Sequence, residues 1–317
     1  MKKKGNAIKK KSPREPTAQA VRRSVPTRTR TQECYVYIQL PGDTDSVTCG
    51  RFTQTWTHNG TVTGSFVYGR SYLALPDGLP LDPIHLPFKR GAVGTAARNG
   101  IFGALRDASP DAWGRRIIER QLGRTKLSEI EYLLHSPEDR AGALSFGIGK
   151  APPPPTRDFN RVLQLQSVLE IATILDEEPG VEMPATLREQ VRNILHPGTS
   201  LGGARPKNVV EDADGLWIAK FPRKDDPWNY AVIEAAMLSL ARRCGIQTPT
   251  ARVERVAGRD VLLVKRFDRE RAASGQGYAR HRMVSGLTVL GADEADHTTW
   301  SYLLLADELK RWSARIG

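Results

Sequence analysis

The amino-acid sequence predicts an α+β fold, in which a strand-rich N-terminal subdomain is followed by a helical linker and by a second, five-stranded sheet with one helix. Three observations support this prediction. Short apolar runs separated by Pro and Gly dominate residues 34–87, helical periodicity dominates 111–122 and 159–195, and a second series of strands begins after residue 208. A chain of 317 residues is long enough for about two domains.

The positive charge of the chain is concentrated at its N-terminus. The first 30 residues hold eleven of the 47 Lys and Arg residues and one of the 35 Asp and Glu residues, so the remainder is nearly neutral although the formal net charge is +12. Because few of these residues are large and apolar, we expect residues 1–32 to form a disordered basic tail. It could bind DNA, RNA or an acidic partner, or it could be a solubilising extension or an upstream mis-assigned start.

The composition argues against a secreted, membrane or metal-binding protein. No apolar run follows the basic residues and no stretch is long enough for a membrane helix, so we predict a cytoplasmic protein without membrane contact. Cys34, Cys49 and Cys244 are odd in number and far apart, which argues against a disulfide framework or a thiolate zinc site. The six histidines include no pair at helical ligand spacing, so no metal ligands are predicted.

The N-terminal subdomain is predicted to span residues 33–150. Its strands are expected at residues 34–40, 49–55, 64–68 and 72–75. The period then changes to that of a helix over 111–122, whose apolar face is formed by Trp113, Ile117, Ile118 and Leu122. This subdomain should therefore combine a small antiparallel sheet with helices.

A Pro-rich segment divides the chain. Residues 151–155 read Ala-Pro-Pro-Pro-Pro, which is stiff and suits a spacer better than a packed element. We therefore predict that residues 151–198 form a linker with two helices, at 159–175 and 185–195. The second domain is predicted to span residues 199–317.

The second domain begins with a glycine-containing loop, Ser200-Leu201-Gly202-Gly203-Ala204-Arg205-Pro206-Lys207. In the strand over residues 216–221, alternate side chains share one face and Lys220 projects from the other. Paired glycines allow backbone N–H groups to approach phosphate oxygens, and a lysine on a neighbouring strand can supply a positive charge to the same phosphates. The pattern indicates a nucleotide site, but not a Walker A loop, because no Gly-Lys-Ser/Thr sequence opens a helix here.

A helix is predicted to begin at Asp226 and to end at Cys244. Its apolar stripe is expected to face the core and consists of Ile233, Ala236, Met237, Leu240, Ala241 and Cys244. Glu234 lies at the edge of this stripe and could pair with Lys220, as a helix glutamate pairs with a strand lysine in protein kinases. Each feature also has an ordinary interpretation, since a Gly-Gly pair is usually a turn and single Lys and Glu side chains usually face water.

A further hairpin follows, with strands predicted at 251–256 and 260–267. Its second strand ends in Lys265-Arg266-Phe267. In a kinase-like lobe this end would be the hinge that pairs with adenine, and otherwise it is an interior strand with a polar end. Spacing alone leaves both interpretations open.

Five motifs carry a resemblance to a known family: Phe102 to Arg116, Asp139 to Gly147, Ser200 to Lys207, Ala219 to Pro222 and Arg266 to Arg269. In this order they resemble the HipA-type serine/threonine kinases, the toxins of bacterial type II toxin–antitoxin systems, over roughly residues 33–316. The resemblance implies a HipA-like N-terminal sheet and helix subdomain, a kinase N-lobe-like sheet and an incomplete helical C-lobe. The first motif belongs to the N-terminal subdomain and is interpreted as structural.

The resemblance also implies roles for individual residues. A loop around the phosphates of ATP would comprise Gly202, Gly203, Ala204, Arg205, Pro206 and Lys207. Lys220 would contact these phosphates with Glu234 as its partner, and the adenine hinge would comprise Lys265, Arg266 and Phe267. Ser200 would be a site of autophosphorylation. The implied partners are a HipB-type antitoxin and, through it, DNA; the implied substrate is a protein of translation, and Mg²⁺ is the usual metal.

The last part of the sequence departs from the family pattern. No Asn follows Asn229, so an Asp-x-x-x-x-Asn catalytic loop is absent and no catalytic residue or magnesium ligand can be assigned. We therefore expect a C-terminally truncated relative that binds nucleotide and transfers phosphate weakly or not at all. One alternative is a non-catalytic regulator that joins an antitoxin–DNA complex or competes with an intact kinase. Another is a frameshifted remnant that is unstable because the apolar face of its helix at 300–309 is exposed.

Overall fold

The computed structural model describes residues 29–155, 159–177, 184–191 and 205–312. These residues build an N-terminal subdomain and a second domain, each around a five-stranded sheet, which confirms the predicted α+β class. Most of the basic tail, residues 1–28, and the start of the glycine-containing loop, residues 200–204, lie outside the described residues.

The N-terminal subdomain contains an antiparallel sheet. Its strands are β1 (Arg30–Gln39), β2 (Ser46–Trp56), β3 (Val62–Tyr68), β4 (Ala92–Thr95) and β5 (Leu144–Gly147), in the order β4-β3-β2-β1-β5. The helices are α1 (Arg70–Leu73), α2 (Gly103–Asp107), α3 (Ala112–Leu122) and α4 (Glu129–His135). Phe52, Phe66 and Phe102 pack edge to face in the core between the sheet and α2.

The second domain is built on a mixed sheet. Its strands are β6 (Asn160–Arg161), β7 (Lys207–Asp212), β8 (Gly215–Lys220), β9 (Ala251–Val256) and β10 (Arg259–Lys265), in the order β6-β7-β8-β10-β9. A ribbon of β11 (Arg269–Arg271) and β12 (Tyr278–Arg280) follows. The helices are α5 (Leu165–Glu177), α6 (Ala185–Gln190), α7 (Tyr230–Arg243), α8 (Gly286–Leu290) and α9 (Tyr302–Trp312).

Alternate side chains of β8 lie on opposite faces of this sheet, as predicted. Trp217, Ala219 and Phe221 are buried in a cluster with the apolar face of α5. Trp113 and Ile117 of α3 enter the same cluster, so a helix of the N-terminal subdomain completes the core of the second domain. The opposite face of the sheet packs against α7.

The predicted apolar face of α3 is divided between two clusters. Trp113 and Ile117 pack against the second domain, whereas Ile118 and Leu122 pack against Tyr132 of α4. Burial on two sides explains why the apolar stripe of this helix is broad.

Three predicted boundaries are wrong. Residues 30–32 belong to β1, where Arg30 pairs with Trp56 of β2, so the ordered chain begins before residue 33. The strand expected at 72–75 is not formed, because Tyr72 and Leu73 are the last residues of α1 and Tyr72 is buried in the aromatic core. The helix expected from residue 159 begins as α5 at Leu165, because Asn160 and Arg161 pair in parallel with β7.

The predicted core face of α7 is also wrong. Ala231, Ala235 and Leu238 face the sheet, whereas the predicted stripe of Ile233, Ala236, Met237, Leu240, Ala241 and Cys244 is exposed or only partly buried. The helix has two stripes at helical spacing, and the inner one contains Glu234 and small alanines that allow close approach to the sheet. The helix begins at Tyr230 after the cap Asn229, whose side chain accepts from Val232 N, and not at Asp226.

The C-terminal helix α9 is amphipathic as the sequence indicates. Its exposed apolar residues are Tyr302, Leu303, Leu304, Leu309 and Trp312. Within the described part of the chain, no helix is both long and apolar enough to cross a membrane.

Candidate functional site

The last residue of β8, Lys220, forms an ion pair with Glu234 of α7. Lys220 Nζ lies 2.5 Å from Glu234 Oε1, and the two side chains are 34% and 40% exposed. The predicted contact between these residues is therefore present. Because the pair is open to solvent on one side, the ammonium can be held in place by the carboxylate and still meet an anion.

A second lysine, Lys207, lies directly opposite Lys220 in the β7/β8 register. Its side chain is only 6% exposed, and its Nζ lies 2.5 Å from Oδ2 of Asp111, the residue that caps α3. Burial lowers the pKa of the Lys207 ammonium; the Asp111 carboxylate opposes this effect, and the neighbouring Lys220 adds to it. The sequence predicted Lys207 as part of a phosphate loop, and the structure places its ammonium in a buried ion pair with the N-terminal subdomain.

The remaining described residues of the loop are tied to the same end of the sheet. The Arg205 guanidinium pairs with Asp226 and lies 4.7 Å from the centre of the Tyr230 ring. The carbonyl oxygen of Pro206 accepts a hydrogen bond from Phe221 N at 3.0 Å. The loop therefore ends on β8 beside Lys220, whereas Ser200, Gly202, Gly203 and Ala204 lie outside the described residues.

The predicted hinge, Lys265 to Phe267, begins at the last residue of β10, where Lys265 pairs with Trp217 of β8. The Arg266 side chain is fully buried, and its backbone N donates to Leu216 O at 2.9 Å. Lys265 N donates to Thr250 O at 2.8 Å. Phe267 is 71% exposed, so it is the one of the three whose side chain is open to a flat ligand.

Arg266 belongs to a buried ion network between the two domains. Asp139, from the N-terminal subdomain, lies 2.6 Å from Arg266 and 2.7 Å from Arg269. Asp268 pairs with the same two arginines at 2.8 and 2.9 Å and accepts from Gly142 N at 2.9 Å. The network fixes the backbone of the predicted hinge against the N-terminal subdomain.

The pKa values of the two acids reflect this environment. Burial alone would raise the pKa of Asp139, but the guanidinium groups of Arg266 and Arg269 outweigh it and hold this pKa below its ordinary value. The pKa of Asp268 is lowered for the same reason, with Arg266 as the main opposing charge. Both carboxylates are therefore ionised at neutral pH.

Sequence reasoning did not assign Asp111 or Asp139 to the site, because both lie in motifs of the N-terminal subdomain. A signal was nevertheless present, since Arg266 and Arg269 flank a single acid in their own motif, and two arginines buried beside a strand require further anionic partners. The spacing of the motifs does not reveal which acidic side chain pairs with which basic one.

A cleft of about 810 Å³ opens beside Asp111, between α2, α3 and residues 283–294. Some charged side chains in its walls already form ion pairs: Arg115 lies 2.7 Å from Glu129, and Arg106 lies 2.8 Å from Glu294. Lys220 does not line this cleft, so the cleft and the Lys220–Glu234 pair are separate features.

The fold defines a two-domain α+β protein with a lysine–glutamate pair on its second sheet and buried ion pairs between its domains. Family models match both parts of the chain: the HipA N-terminal domain over residues 45–147 and the HipA-like C-terminal domain over residues 199–316. Together these matches cover more than half of the sequence. The chain belongs to the HipA family, as the motifs predicted.

One similar solved structure is the complex of HipA, HipB and operator DNA from the toxin–antitoxin system of Shewanella oneidensis MR-1. The chains are 19% identical and superpose with a TM-score of 0.55 over 86% of this chain and 60% of the other. The likeness shows a shared fold, and this chain spans about 60% of the length of that relative. No curated protein matches the chain in sequence.

Proposed function

We propose that the chain binds ATP on the face of the second sheet that carries Lys220. The observation that carries this proposal is the Lys220–Glu234 ion pair at 2.5 Å, which is partly exposed to solvent beside the end of the glycine-containing loop. Glu234 holds the ammonium in position, and the ammonium donates to phosphate oxygens. We further propose that backbone N–H groups of Gly202 and Gly203 contact the same phosphates and that the exposed ring of Phe267 stacks on adenine.

Phosphoryl transfer by this chain is proposed to be weak or absent. Transfer would move the γ-phosphoryl group of ATP to a Ser or Thr hydroxyl oxygen and release ADP, and it requires a carboxylate to orient that hydroxyl. Mg²⁺ bound to the nucleotide would neutralise phosphate charge. No Asn follows Asn229, and the described residues contain no group of three His, Cys, Asp or Glu side chains placed to hold a metal ion. We therefore assign no catalytic residue and no metal ligand.

Incubation of the purified chain with magnesium ATP tests this proposal. We expect saturable ATP binding, and phosphate on Ser200 only far below the rate of about 1–100 s⁻¹ typical of kinases. Mass spectrometry of the Ser200 peptide, with Ser200→Ala as the control, measures the modification. Phosphorylation of Ser200 at an ordinary kinase rate would contradict the proposal of weak transfer. Absence of ATP binding would contradict the proposed nucleotide site.

A second candidate function is regulation in a complex with an antitoxin and DNA. It is favoured by the ten net positive charges among the first 30 residues and by the presence of HipB and operator DNA in the similar complex. On this proposal the chain acts in the cytoplasm, binds a HipB-type antitoxin, and contacts DNA through its basic arm. By family resemblance, the protein substrate of an active relative would belong to translation.

Deletion of residues 1–28 tests the role of the arm and leaves β1 intact, because the strand begins at Arg30. We expect the full chain to shift DNA in a gel at low salt, with an affinity that falls steeply as salt rises, and the deletion to abolish the shift. A variant in which Ser replaces the Lys and Arg residues of the arm keeps its length and should behave like the deletion. An unchanged shift after deletion would show that the arm does not bind the DNA. The absence of a shift by the full chain at low salt would contradict DNA binding, and with it this second function.

A further inference from the structure

We propose that Asp111 is a positioning residue for the nucleotide site: by holding Lys207 in a buried ion pair, it fixes the end of the phosphate loop and leaves Lys220 as the lysine that meets the phosphates. The proposal rests on the proposed ATP site. It assigns a role in ligand binding to a residue of the N-terminal subdomain.

Asp111 is held rigidly at the start of α3. Its Oδ1 accepts from Gly114 N at 2.7 Å as the helix cap, and its Oδ2 lies 2.5 Å from Lys207 Nζ. Its side chain is almost completely buried. Both carboxylate oxygens therefore have a partner, and the position of the Lys207 ammonium is set by the position of the helix.

The two lysines form the centre of a row of charges. Lys207 and Lys220 face the same side of the sheet because they are directly opposite in an antiparallel pair, and each has its own acid, Asp111 on α3 and Glu234 on α7. Like charges placed opposite each other on neighbouring strands repel. The two outer carboxylates therefore draw the ammonium groups apart, one into the domain interface and one toward solvent.

The ion pair also fixes the backbone of the loop. Lys207 is the first residue of β7, and the preceding Pro206 accepts a hydrogen bond from Phe221 N beside Lys220. If Lys207 lost its acid, its buried ammonium would move toward solvent or give up its proton, because an unpaired charge is strongly disfavoured in the interior. That movement would displace Pro206 and bring a second cation next to Lys220.

A double-mutant cycle on ATP affinity tests the proposal, with calorimetry on Asp111→Asn, Lys207→Met and the double variant. We expect each single substitution to weaken ATP binding about tenfold and the double variant to be no weaker than the worse single one, as for contacting residues that act as a unit. If Lys207 instead contacts phosphate itself, Lys207→Met loses affinity independently of Asp111 and the losses multiply. That result, or unchanged affinity in Asp111→Asn, would overturn the proposal.

Asp107→Asn is the matched control. Asp107 lies in the same motif and also reaches out of the N-terminal subdomain, but its Oδ2 accepts from Ser285 N at 2.6 Å, whereas Asp111 pairs with Lys207 of the loop. We expect it to leave ATP affinity unchanged even where its melting temperature falls as far as that of Asp111→Asn. Equal losses of affinity in both variants would indicate general loosening of the interface and would count against positioning by Asp111.

Labelling of lysines with an amine-reactive reagent provides a readout that does not require nucleotide binding. In the parent chain we expect Lys220 to react and Lys207 to be protected, and in Asp111→Asn we expect Lys207 to become reactive. ATP should then protect Lys220 in the parent without changing Lys207. If the parent binds no ATP, the proposed function fails while the labelling still tests Asp111; reactive Lys207 in the parent overturns this inference alone.

Discussion

Replacement of Asp139 by Asn is expected to lower the free energy of unfolding by about 3–5 kcal/mol, because it removes one of two acids from a buried ion network and leaves Arg266 and Arg269 to share Asp268. Arg266 and Arg269 both bind Asp139, and none of the three side chains is more than 2% exposed. The loss is large against the total stability of a typical domain, about 5–15 kcal/mol. Urea unfolding measures it, with Trp113 and Trp217 as fluorescent probes in the core that joins the domains.

Acid should weaken the same network in the parent chain. The pKa values of Asp139 and Asp268 are depressed in the folded state, so their contribution to stability is present above the pKa of an unfolded Asp, about 3.9, and is lost as the pH falls toward the folded values. We expect the free energy of unfolding to decrease progressively below about pH 5. The decrease should be smaller in Asp139→Asn, because one of the two titrating carboxyls is gone.

Glu33→Gln provides a control for loss of charge alone. Glu33 pairs with Arg51 at 3.3 Å, and about half of each side chain is exposed. We expect a change of at most about 1 kcal/mol, since water solvates both groups after the substitution. A similar loss of stability in Glu33→Gln and Asp139→Asn would contradict the importance of burial in the network.

Lys220→Met is expected to reduce the affinity for ATP about ten- to a hundredfold, the range that follows from loss of a hydrogen bond to a charged group. Met has nearly the same length and no charge, so the strand and the packing of α7 should be retained. Glu234→Gln should have a smaller effect in the same direction, because the ammonium remains but is no longer held at 2.5 Å by a carboxylate. Calorimetric titration measures each affinity.

Lys150→Met is the matched control for this variant, because Lys150 is exposed and lies in the N-terminal subdomain. Its substitution removes one positive charge without touching the proposed site, so ATP affinity should not change. Equal uptake of ATP by the parent and by a Lys220→Met variant that also carries Ala at Gly202 and Gly203 would reject the proposed nucleotide site.

Features with a strong local signal could be predicted from the sequence. The alternation of Trp217, Ala219 and Phe221 assigned one face of β8 to the core and Lys220 to the other. Glu234, which follows Lys220 by 14 residues and lies at the edge of the predicted helix stripe, was expected to pair with this lysine as in protein kinases, and their ion pair is present. These predictions succeed because a strand of period two and the helix after it leave few arrangements of the chain.

Features set by contacts between distant segments could not be predicted in this way. In α7, two stripes fit the helical period, and the sequence favoured the more hydrophobic one, whereas the face with Ala231, Ala235 and the ion-paired Glu234 is the one against the sheet. Likewise, Asp111 and Asp139 are separated from their cations by 96 and 127 residues. Periodicity carries no information about such pairs.

Two acids of the buried ion pairs, Asp111 and Asp139, precede the Pro-rich segment, whereas their cations follow it, and this placement has a consequence for engineering. A chimera that takes residues 33–150 from another relative must bring carboxylates that reach the positions of Asp111 and Asp139, or it will bury Lys207 without a counter-ion and leave Arg266 and Arg269 to share Asp268. For the same reason, expression of residues 199–317 alone would remove two anions from the interior. Ion pairs thus join the two halves of the chain, so a division at the linker between them is expected to destabilise both parts.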